Sequence, residues 1–353
     1  VTLPLKPVSG ETIALIGNTL GERTLYYGHF ETMLHQRFPG PQLIVRNLCH
    51  PGDTAGLRPR PGTPTQWAFP DAARFNPDHQ THFGKGHYPT PDEWLTEVKA
   101  TTIIAFFGFN ESFGGPERLP DFKAELAAWI EHTQTKAYDG RTAPRIVLVT
   151  PIAFEDRSNT YDLPKGAVEN ARLAAYAQAM LEVAAEKRVA VVDAFGVTRE
   201  WYTAPGAQPL TTNGCHLSEA GYRRFDPFLV DTIFSRTPVA STANYEGLRA
   251  AIVDKEWFWL NDYRMLNGVH AYGQRWKPYG EKNYPEEIEK IRQMTRLRDE
   301  AIWKITQGKA SRLVVDDSQT RALTPVVSNY LGAINYLEEA AAAKKFKVAA
   351  GYK

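Results

Sequence analysis

The chain has 353 residues, of which 43% are hydrophobic and 23% charged, a composition typical of a globular protein with a sizeable core. Its net charge of +1 excludes a broad electrostatic attraction to nucleic acid or to an anionic membrane. No apolar run approaches the roughly 20 residues that a membrane-spanning helix needs, and the two cysteines make no disulfide framework.

The first two thirds of the chain alternate between strand-like and helix-like segments. Apolar runs predict five buried strands, over residues 12–16, 43–45, 102–107, 145–150 and 189–192. Helical spacing of apolar residues predicts helices over residues 21–38, 121–133 and 166–187, and from Ser218 to about residue 234. Such alternation is typical of a parallel sheet covered on both faces. We therefore predict a three-layer α/β/α domain with a five-stranded parallel sheet over residues 1–236.

Residues 51–91 interrupt this alternation with a long proline-rich stretch after the second predicted strand. Long loops in compact domains are usually functional or mobile, and ligands of parallel sheets bind beyond the carboxyl ends of the strands. His79, His82 and His87 lie in this stretch, but their spacing matches no established metal site. We expect an ordinary polar loop there, and we predict neither a metal nor a cofactor.

The character of the chain changes after residue 241, within a predicted helical, aromatic-rich extension that spans residues 237–353. An aromatic segment over residues 257–264 precedes predicted helices over 284–307 and 320–345. Residues 346–353 resemble a strand that begins, so we expect a longer, multidomain chain. The aromatic side chains have two interpretations: packing against the α/β domain, which we favour, or a surface that stacks on sugar rings.

Four short polar blocks carry the candidate chemistry, and they lie at residues 17–20, 47–53, 108–111 and 213–216. The first three follow predicted strands, and the last opens a predicted helix. Since ligands of parallel α/β sheets bind at the carboxyl ends of the strands, these blocks mark the predicted site.

Thr19 and His216 are the predicted nucleophile and base. A hydroxyl nucleophile needs a base to take its proton, and His216 is the candidate. The extra methyl group of Thr crowds its attack and restricts χ1. The alternative for Thr19 is a helix N-cap, which Thr and Asn both make well. In a catalytic triad an acidic group orients the imidazole and stabilises its charged form, whereas Asn213 supplies orientation without charge.

Gly52 and Asn110 are the predicted oxyanion donors. An oxyanion needs N–H groups aimed at it, and a backbone amide at a glycine and a side-chain amide supply them. Each residue alone is an ordinary loop residue, but together they follow successive predicted strands.

Several carboxylates accompany the blocks. Glu22, Glu31, Asp53 and Glu111 lie on or beside them, so glycoside cleavage by a pair of acids stays open as an alternative. We assign substrate binding to Asn18, Glu22, Asp53 and Glu111.

The blocks resemble those of the SGNH, or GDSL-like, hydrolase superfamily over residues 11–236. Residues 213–222 resemble the family's Asp-Gly-x-His-x-x-x-x-Gly-Tyr, with Asn213 in place of the Asp, and Thr19 stands where the family has its nucleophilic Ser. The resemblance implies a flavodoxin-like fold, Thr19 in the nucleophile position, Gly52 and Asn110 in the oxyanion hole and His216 as base.

Longer strings around residues 17–23, 28–32 and 106–112 are also similar to the N-terminal SGNH-like region of large secreted planctomycete-type proteins. This looser resemblance implies a secreted or periplasmic location. Cys49 and Cys215 lie in blocks that converge in the family fold, so either a disulfide or two separate small buried residues is expected.

Three functional interpretations follow. The favoured one is a hydrolase of an ester, on a carbohydrate, that uses Thr19 and His216. The second is a catalytically degenerate module that binds glycans, and the third is a glycoside hydrolase that uses carboxylates. All three predict a small-molecule or glycan ligand, with no nucleic acid and no membrane span.

Overall fold

The computed structural model describes residues 2–59, 66–79, 88–273, 276, 279–282 and 284–323. Five strands form one parallel sheet in the order β2-β1-β3-β4-β5. They are β1 (Thr12–Gly17), β2 (Ile44–Asn47), β3 (Thr102–Phe106), β4 (Arg145–Val149) and β5 (Ala190–Val192). All five lie at the predicted positions, which confirms the parallel α/β sheet.

Fourteen α-helices occur in the described ranges. Those that precede residue 237 are α1 (Thr19–Glu22), α2 (Thr24–Tyr27), α3 (His29–Arg37), α4 (Pro91–Glu97), α5 (Phe109–Ser112), α6 (Leu119–Gln134), α7 (Ser158–Tyr161), α8 (Ala167–Lys187), α9 (Ala194–Thr203) and α10 (Glu219–Phe234). The extension contains α11 (Tyr245–Tyr263), α12 (Gly268–Ala271), α13 (Tyr279–Lys282) and α14 (Tyr284–Thr306). Short 3₁₀ turns lie at Ala72–Phe75, Pro116–Arg118 and Asp317–Gln319.

The predicted helix over residues 21–38 is wrong in its continuity, because three short helices replace it. Arg23 ends α1, and Gly28 ends α2 with a left-handed φ of 68°. Glycine adopts that conformation without a Cβ penalty, so the chain changes direction there before α3 begins.

Each face of the sheet is buried under helices. On one face, Ile16, Ile103 and Ala105 pack in a cluster that includes Phe122 and Trp129 of α6. The other face packs under α3 and α10, in a cluster whose larger members include Ile13, Leu15, Phe106, Phe30, Leu34, Phe225 and Leu229. Burial of continuous apolar strands on both faces is what drives this three-layer arrangement.

The extension packs against the sheet edge formed by β2. Helices α11 and α14 share a small apolar core of Leu248, Ile252, Ile302 and Ile305. Trp259 of α11 is buried, and its indole N–H donates to the carbonyl of Asn47, 2.7 Å away. The favoured interpretation of the aromatic segment, core packing, is confirmed for Trp259, whereas Trp257 is 60% exposed.

Buried ion pairs join the extension to the sheet. Lys255 is fully buried and its ammonium contacts the carboxylates of Glu31 at 2.6 Å and Glu256 at 2.8 Å. Beside it, Arg46 of β2 pairs with Asp299 of α14. Because removing one partner of a buried pair is costly, these contacts fix the extension on the β2 edge.

Part of the proline-rich stretch and the end of the chain lie outside the described residues. His82 and His87 are among them, as are the predicted strand over 346–353 and most of the predicted helix over 320–345. The first residues of that helix, 320–323, are described and are not helical. Within the described ranges, no helix combines the length and apolar character needed to cross a bilayer.

Candidate active site

The candidate nucleophile lies in a tight turn at the carboxyl end of β1. Gly17 has a φ of 112°, and a Cβ there would lie 2.1 Å from the carbonyl oxygen of Phe106. The backbone N–H of Asn18 donates to that same oxygen at 3.0 Å, and the turn then enters α1. Only glycine fits such a close approach, so the turn places Thr19 at the sheet edge.

Asn18, not Thr19, caps helix α1. The side-chain oxygen of Asn18 accepts the backbone N–H of Leu20 at 3.1 Å, and Asn18 is buried. The cap considered as the alternative role of Thr19 is therefore made by its neighbour. Thr19 is the first residue of α1 and is half-buried. The predicted substrate-binding role of Asn18 stays a prediction.

The predicted oxyanion donors come from adjacent loops. Gly52 is exposed and has a φ of 87°, in a turn that the bond from the Asp53 N–H to the His50 carbonyl closes. The side-chain NH₂ of Asn110, on α5, donates to the carbonyl of Asp53 at 2.9 Å. This bond uses one of the two hydrogens of the amide group and holds the Gly52 turn beside Asn110.

His216 lies on the loop that leads into α10, and Asn213 orients it. The side-chain oxygen of Asn213 lies 3.1 Å from Nδ1 of His216 and accepts the backbone N–H of His216 at 3.0 Å. An amide oxygen can only accept, so Nδ1 carries the proton in this contact and Nε2 has the lone pair. That tautomer suits a general base acting through Nε2.

Thr19 and His216 line the same small cavity of about 20 Å³. Its walls also include Cys215 and Phe109, and the rings of Phe109 and His216 lie 6.5 Å apart between centroids. The structure thus brings the predicted nucleophile and base together.

Burial and the positive charge of Arg23 lower the pKa of His216 below its usual value, while the negative charge of Glu22 opposes the shift. Desolvation disfavours the charged imidazolium. His216 is therefore neutral at pH 7 and able to accept a proton.

The four carboxylates near the blocks are held by separate partners. Glu22 pairs with Arg264, Asp53 with Arg58 at 3.6 Å, and Glu31 belongs to the buried contacts around Lys255. Glu111 accepts the backbone N–H groups of Gly108 at 2.8 Å and Ala55 at 3.1 Å.

The pKa of Glu111 is raised to about 7: burial raises it most, the nearby Glu125 also raises it, and the backbone donors oppose the shift. Glu111 therefore titrates near neutral pH. Its contacts join the loop after β3 to the loop after β2, on either side of the oxyanion donors.

Sequence reasoning missed Glu155, which holds the loop that carries Asn213 and His216. Glu155 is buried after β4, and its carboxylate accepts the backbone N–H groups of Leu210 at 3.0 Å and Thr211 at 2.7 Å. The Thr211 hydroxyl also donates to it and accepts the N–H of Gly214 at 3.0 Å. Its position after a strand was the only available signal.

Arg264 of the extension was also missed. It reaches back to pair with Glu22, which also accepts the hydroxyl of Tyr26 at 3.2 Å. Nothing in the local sequence around residue 264 indicates a partner so distant along the chain.

The bridge considered between the cysteines is not formed in the structure. Cys49 is buried and Cys215 half-buried, and neither is in a disulfide. The thiol of Cys215 instead lies 3.2 Å from Nδ1 of His216 and 3.5 Å from the Asn213 side-chain oxygen.

The histidine-rich stretch contributes no metal site in the part of the chain that the structure describes. There, no group of three or more His, Cys, Asp or Glu side chains is arranged to hold a metal ion. His79 instead packs edge-on against Trp67, with 5.7 Å between ring centroids.

Comparison with known proteins gave one family match and several structural matches. The model of the GDSL-like lipase/acylhydrolase family matches residues 14–224. No curated protein matches the chain.

Among solved structures, a gut microbial diltiazem-metabolizing enzyme is similar at 15% identity and a TM-score of 0.45, over 66% of this chain and 48% of that chain. An acetylxylan esterase from Geobacillus stearothermophilus is similar at 17% identity and a TM-score of 0.44, over 66% of this chain and 100% of that one. A lipase/acylhydrolase from Enterococcus faecalis is similar at 18% identity and a TM-score of 0.39, over 62% and 93% respectively.

Proposed function

Because this chain belongs to the GDSL-like lipase/acylhydrolase family, we propose that it hydrolyses an ester with Thr19 as nucleophile and His216 as general base. The family match confirms the predicted family and the predicted class, hydrolases of ester bonds. The observation that carries the proposal is the contact of Nδ1 of His216 with the side-chain oxygen of Asn213, which orients the imidazole. His216 and Thr19 also line the same cavity.

In the proposed first step, the hydroxyl oxygen of Thr19 attacks the ester carbonyl carbon while Nε2 of His216 takes its proton. The backbone N–H of Gly52 and the second N–H of Asn110 donate to the developing oxyanion. The tetrahedral intermediate then expels the alcohol, which takes the proton from His216. Water, activated by the same nitrogen, releases the acid and restores Thr19.

This site is expected to be slower than a Ser-His-Asp triad. Asn213 orients the imidazole but carries no charge to stabilise imidazolium, and the analogous Asp-to-Asn change in the serine protease template costs about 10⁴ in kcat. The methyl group of Thr19 restricts its rotamers further.

The substrate class remains part of the proposal. A carbohydrate ester is the substrate we propose to test first, since the sequence predicted a glycan or small-molecule ligand. The carboxylate-based glycosidase receives less support, because Glu22, Glu31 and Asp53 are each paired with a cation. Substrate roles for Asn18, Glu22, Asp53 and Glu111 are retained as part of the proposal.

The test is hydrolysis of acetylated sugars and aryl esters by the parent, Thr19→Ala, Thr19→Ser and His216→Ala. We expect both alanine variants to lose turnover by orders of magnitude and Thr19→Ser to retain or exceed it. Thr203→Ala, at an exposed threonine of α9, is the matched control. Equal rates in the parent and Thr19→Ala would refute Thr19 as nucleophile, and sugar binding without turnover would favour the glycan-binding module.

Export is a separate proposal. A secreted or periplasmic location, in a longer multidomain chain, follows from the looser sequence resemblance alone. Fractionation of cells that produce the native protein tests it, since a cytoplasmic pool would contradict it.

A further inference from the structure

A second, larger cavity lies between the α/β domain and the extension. Its volume is about 360 Å³, within the range of small-molecule sites. Its walls come from the ends of β1 and β2, from Arg58 and Ala68 of the loop after β2, from residues 88–95 around the start of α4, from α6 and Tyr138, and from residues 263–272. We call this cavity the side chamber. None of the residues assigned above to catalysis lines it.

The charged groups that line the side chamber are compensated. Asp92 accepts Nε2 of His132 at 2.8 Å and the hydroxyl of Tyr138 at 2.7 Å. Arg58 is paired with Asp53 and Arg264 with Glu22. A charged ligand would therefore find no uncompensated counter-charge on these three residues and would lose its hydration on entry.

Two further hydrogen-bonding groups of the walls are likewise engaged. The hydroxyl of Tyr263 donates to the carbonyl of Leu48 at 2.7 Å, and Nδ1 of His50 contacts the carbonyl of Pro51 at 2.8 Å. A sugar needs several polar partners to replace the water around its hydroxyl groups. Because these polar groups already have partners, the walls favour an apolar ligand over a carbohydrate.

The remaining walls are aromatic and aliphatic. Tyr88 and Tyr272 are half-buried, with 5.9 Å between their ring centroids. Tyr263 lies edge-on to Trp94 at 5.1 Å, and Met265 lines the same space. Aromatic rings and a thioether favour contact with another flat ring.

The inner wall of the side chamber adjoins the framework of the active site. Ile16 is three residues before Thr19, and the backbone N–H of His50 donates to the carbonyl of Gly17 at 2.8 Å. Arg264 pairs with Glu22 at the end of the helix that Thr19 begins. The inner wall of the chamber is thus hydrogen-bonded to the turn that presents the nucleophile.

We infer that the side chamber binds an uncharged aromatic group of the ester that the site hydrolyses. This inference rests on the proposed function, and it narrows the substrate class: the acyl or alcohol part of the ester carries a neutral aryl ring, whether or not the other part is a sugar.

The test measures binding of non-reactive probes to the full chain by calorimetry: benzyl alcohol, benzoate and methyl xyloside. We expect saturable one-site binding of benzyl alcohol, and at least about tenfold weaker binding of the other two. Tyr272→Ala removes a ring from the wall, and Gly268→Leu narrows the space, since a Cβ at Gly268 would lie 3.5 Å from the Tyr88 ring. Both should weaken benzyl alcohol binding about tenfold.

Two further variants keep the inference open to refutation. Tyr272→Phe retains the ring and should retain affinity, while Trp257→Ala removes an exposed aromatic residue of α11 that lies outside the chamber and should change nothing. Circular dichroism and thermal unfolding establish that each variant is folded. Equal binding in the parent and Gly268→Leu, or tighter binding of methyl xyloside or benzoate, would overturn the inference.

Failure of the proposed hydrolase function can be distinguished from failure of the side chamber as an aryl site. Aryl binding that Gly268→Leu abolishes, in a protein without ester turnover, would support the chamber as an aryl site and refute the hydrolase. Ester turnover with no preference of KM for aryl over alkyl esters, and no probe binding, would refute the chamber alone.

Discussion

The side-chain oxygen of Asn213 accepts two hydrogen bonds from one residue, His216: one from Nδ1 at 3.1 Å and one from the backbone N–H at 3.0 Å. The backbone donor identifies the amide atom as the oxygen, since an NH₂ group would face another donor there. The orientation that a triad carboxylate provides is thus retained, and the charge is missing.

Restoring that charge should accelerate the reaction. Asn213→Asp keeps the acceptor geometry and places a carboxylate beside Nδ1, which stabilises the imidazolium formed in the first step. We expect kcat to rise by at least about tenfold, with about 10⁴ as the upper bound set by the template. Steady-state kinetics measures kcat with the ester of the panel that the parent hydrolyses fastest. A fall in kcat would show that Asn213 has a different role.

The dependence of kcat/KM on pH should follow the protonation of His216. Its pKa is lowered from 6.5 by burial first and by the charge of Arg23 second. Because the neutral imidazole is the active form, kcat/KM should be constant at neutral pH and fall with acid, with a midpoint below 6.5.

The variant Arg23→Gln removes a positive charge, so it should move this midpoint upward. Arg199→Gln, at an exposed arginine of α9, is the control that should leave the midpoint in place. A parent profile with its midpoint above 6.5 would contradict the assignment of His216 as the base.

Glu155 is a positioning residue in this structure. Glu155→Gln replaces one acceptor oxygen by NH₂, which faces the donors of Leu210 or Thr211 and loosens the loop that carries His216. A displacement near 1 Å costs about 10²-fold in rate.

We therefore expect kcat to fall by about that factor in Glu155→Gln, with KM nearly unchanged. Glu200→Gln, on the exposed side of α9, should match the parent. Loss of overall stability with an unchanged kcat for the folded fraction would show that Glu155 acts on folding alone.

Lys255 should be essential for stability. In Lys255→Met the buried carboxylates of Glu31 and Glu256 lose their common cation, which costs about 3–5 kcal/mol for a buried pair. Urea denaturation measures the free energy of unfolding.

The matched comparison is Arg223→Met, which removes the exposed pair with Glu246. An exposed ion pair contributes about 0.2–1 kcal/mol, so the free energy of unfolding of this variant should be close to that of the parent. Similar losses in the two variants would show that the Lys255 contacts do not fix the extension to the sheet.

The sequence by itself determined the sheet and the order of the blocks. Apolar runs report strands because each buried strand must be apolar on both faces, and parallel strands bring their carboxyl ends to one edge. Thr19, Gly52 and Asn110 follow predicted strands and are therefore expected at that edge, whereas His216 is expected there from the resemblance of residues 213–222 to the family's last block. Their catalytic roles stay predictions until the variants are measured.

The tertiary structure decided what depends on partners far apart along the chain. The contact of Glu155 with Thr211 spans 56 residues, and that of Arg264 with Glu22 spans 242. Local patterns carry no information about such pairs. The N-cap of α1 was ambiguous in the sequence, because Asn and Thr are both favoured cap residues. The turn is fixed by the Phe106 carbonyl, which approaches Gly17 and accepts the N–H of Asn18.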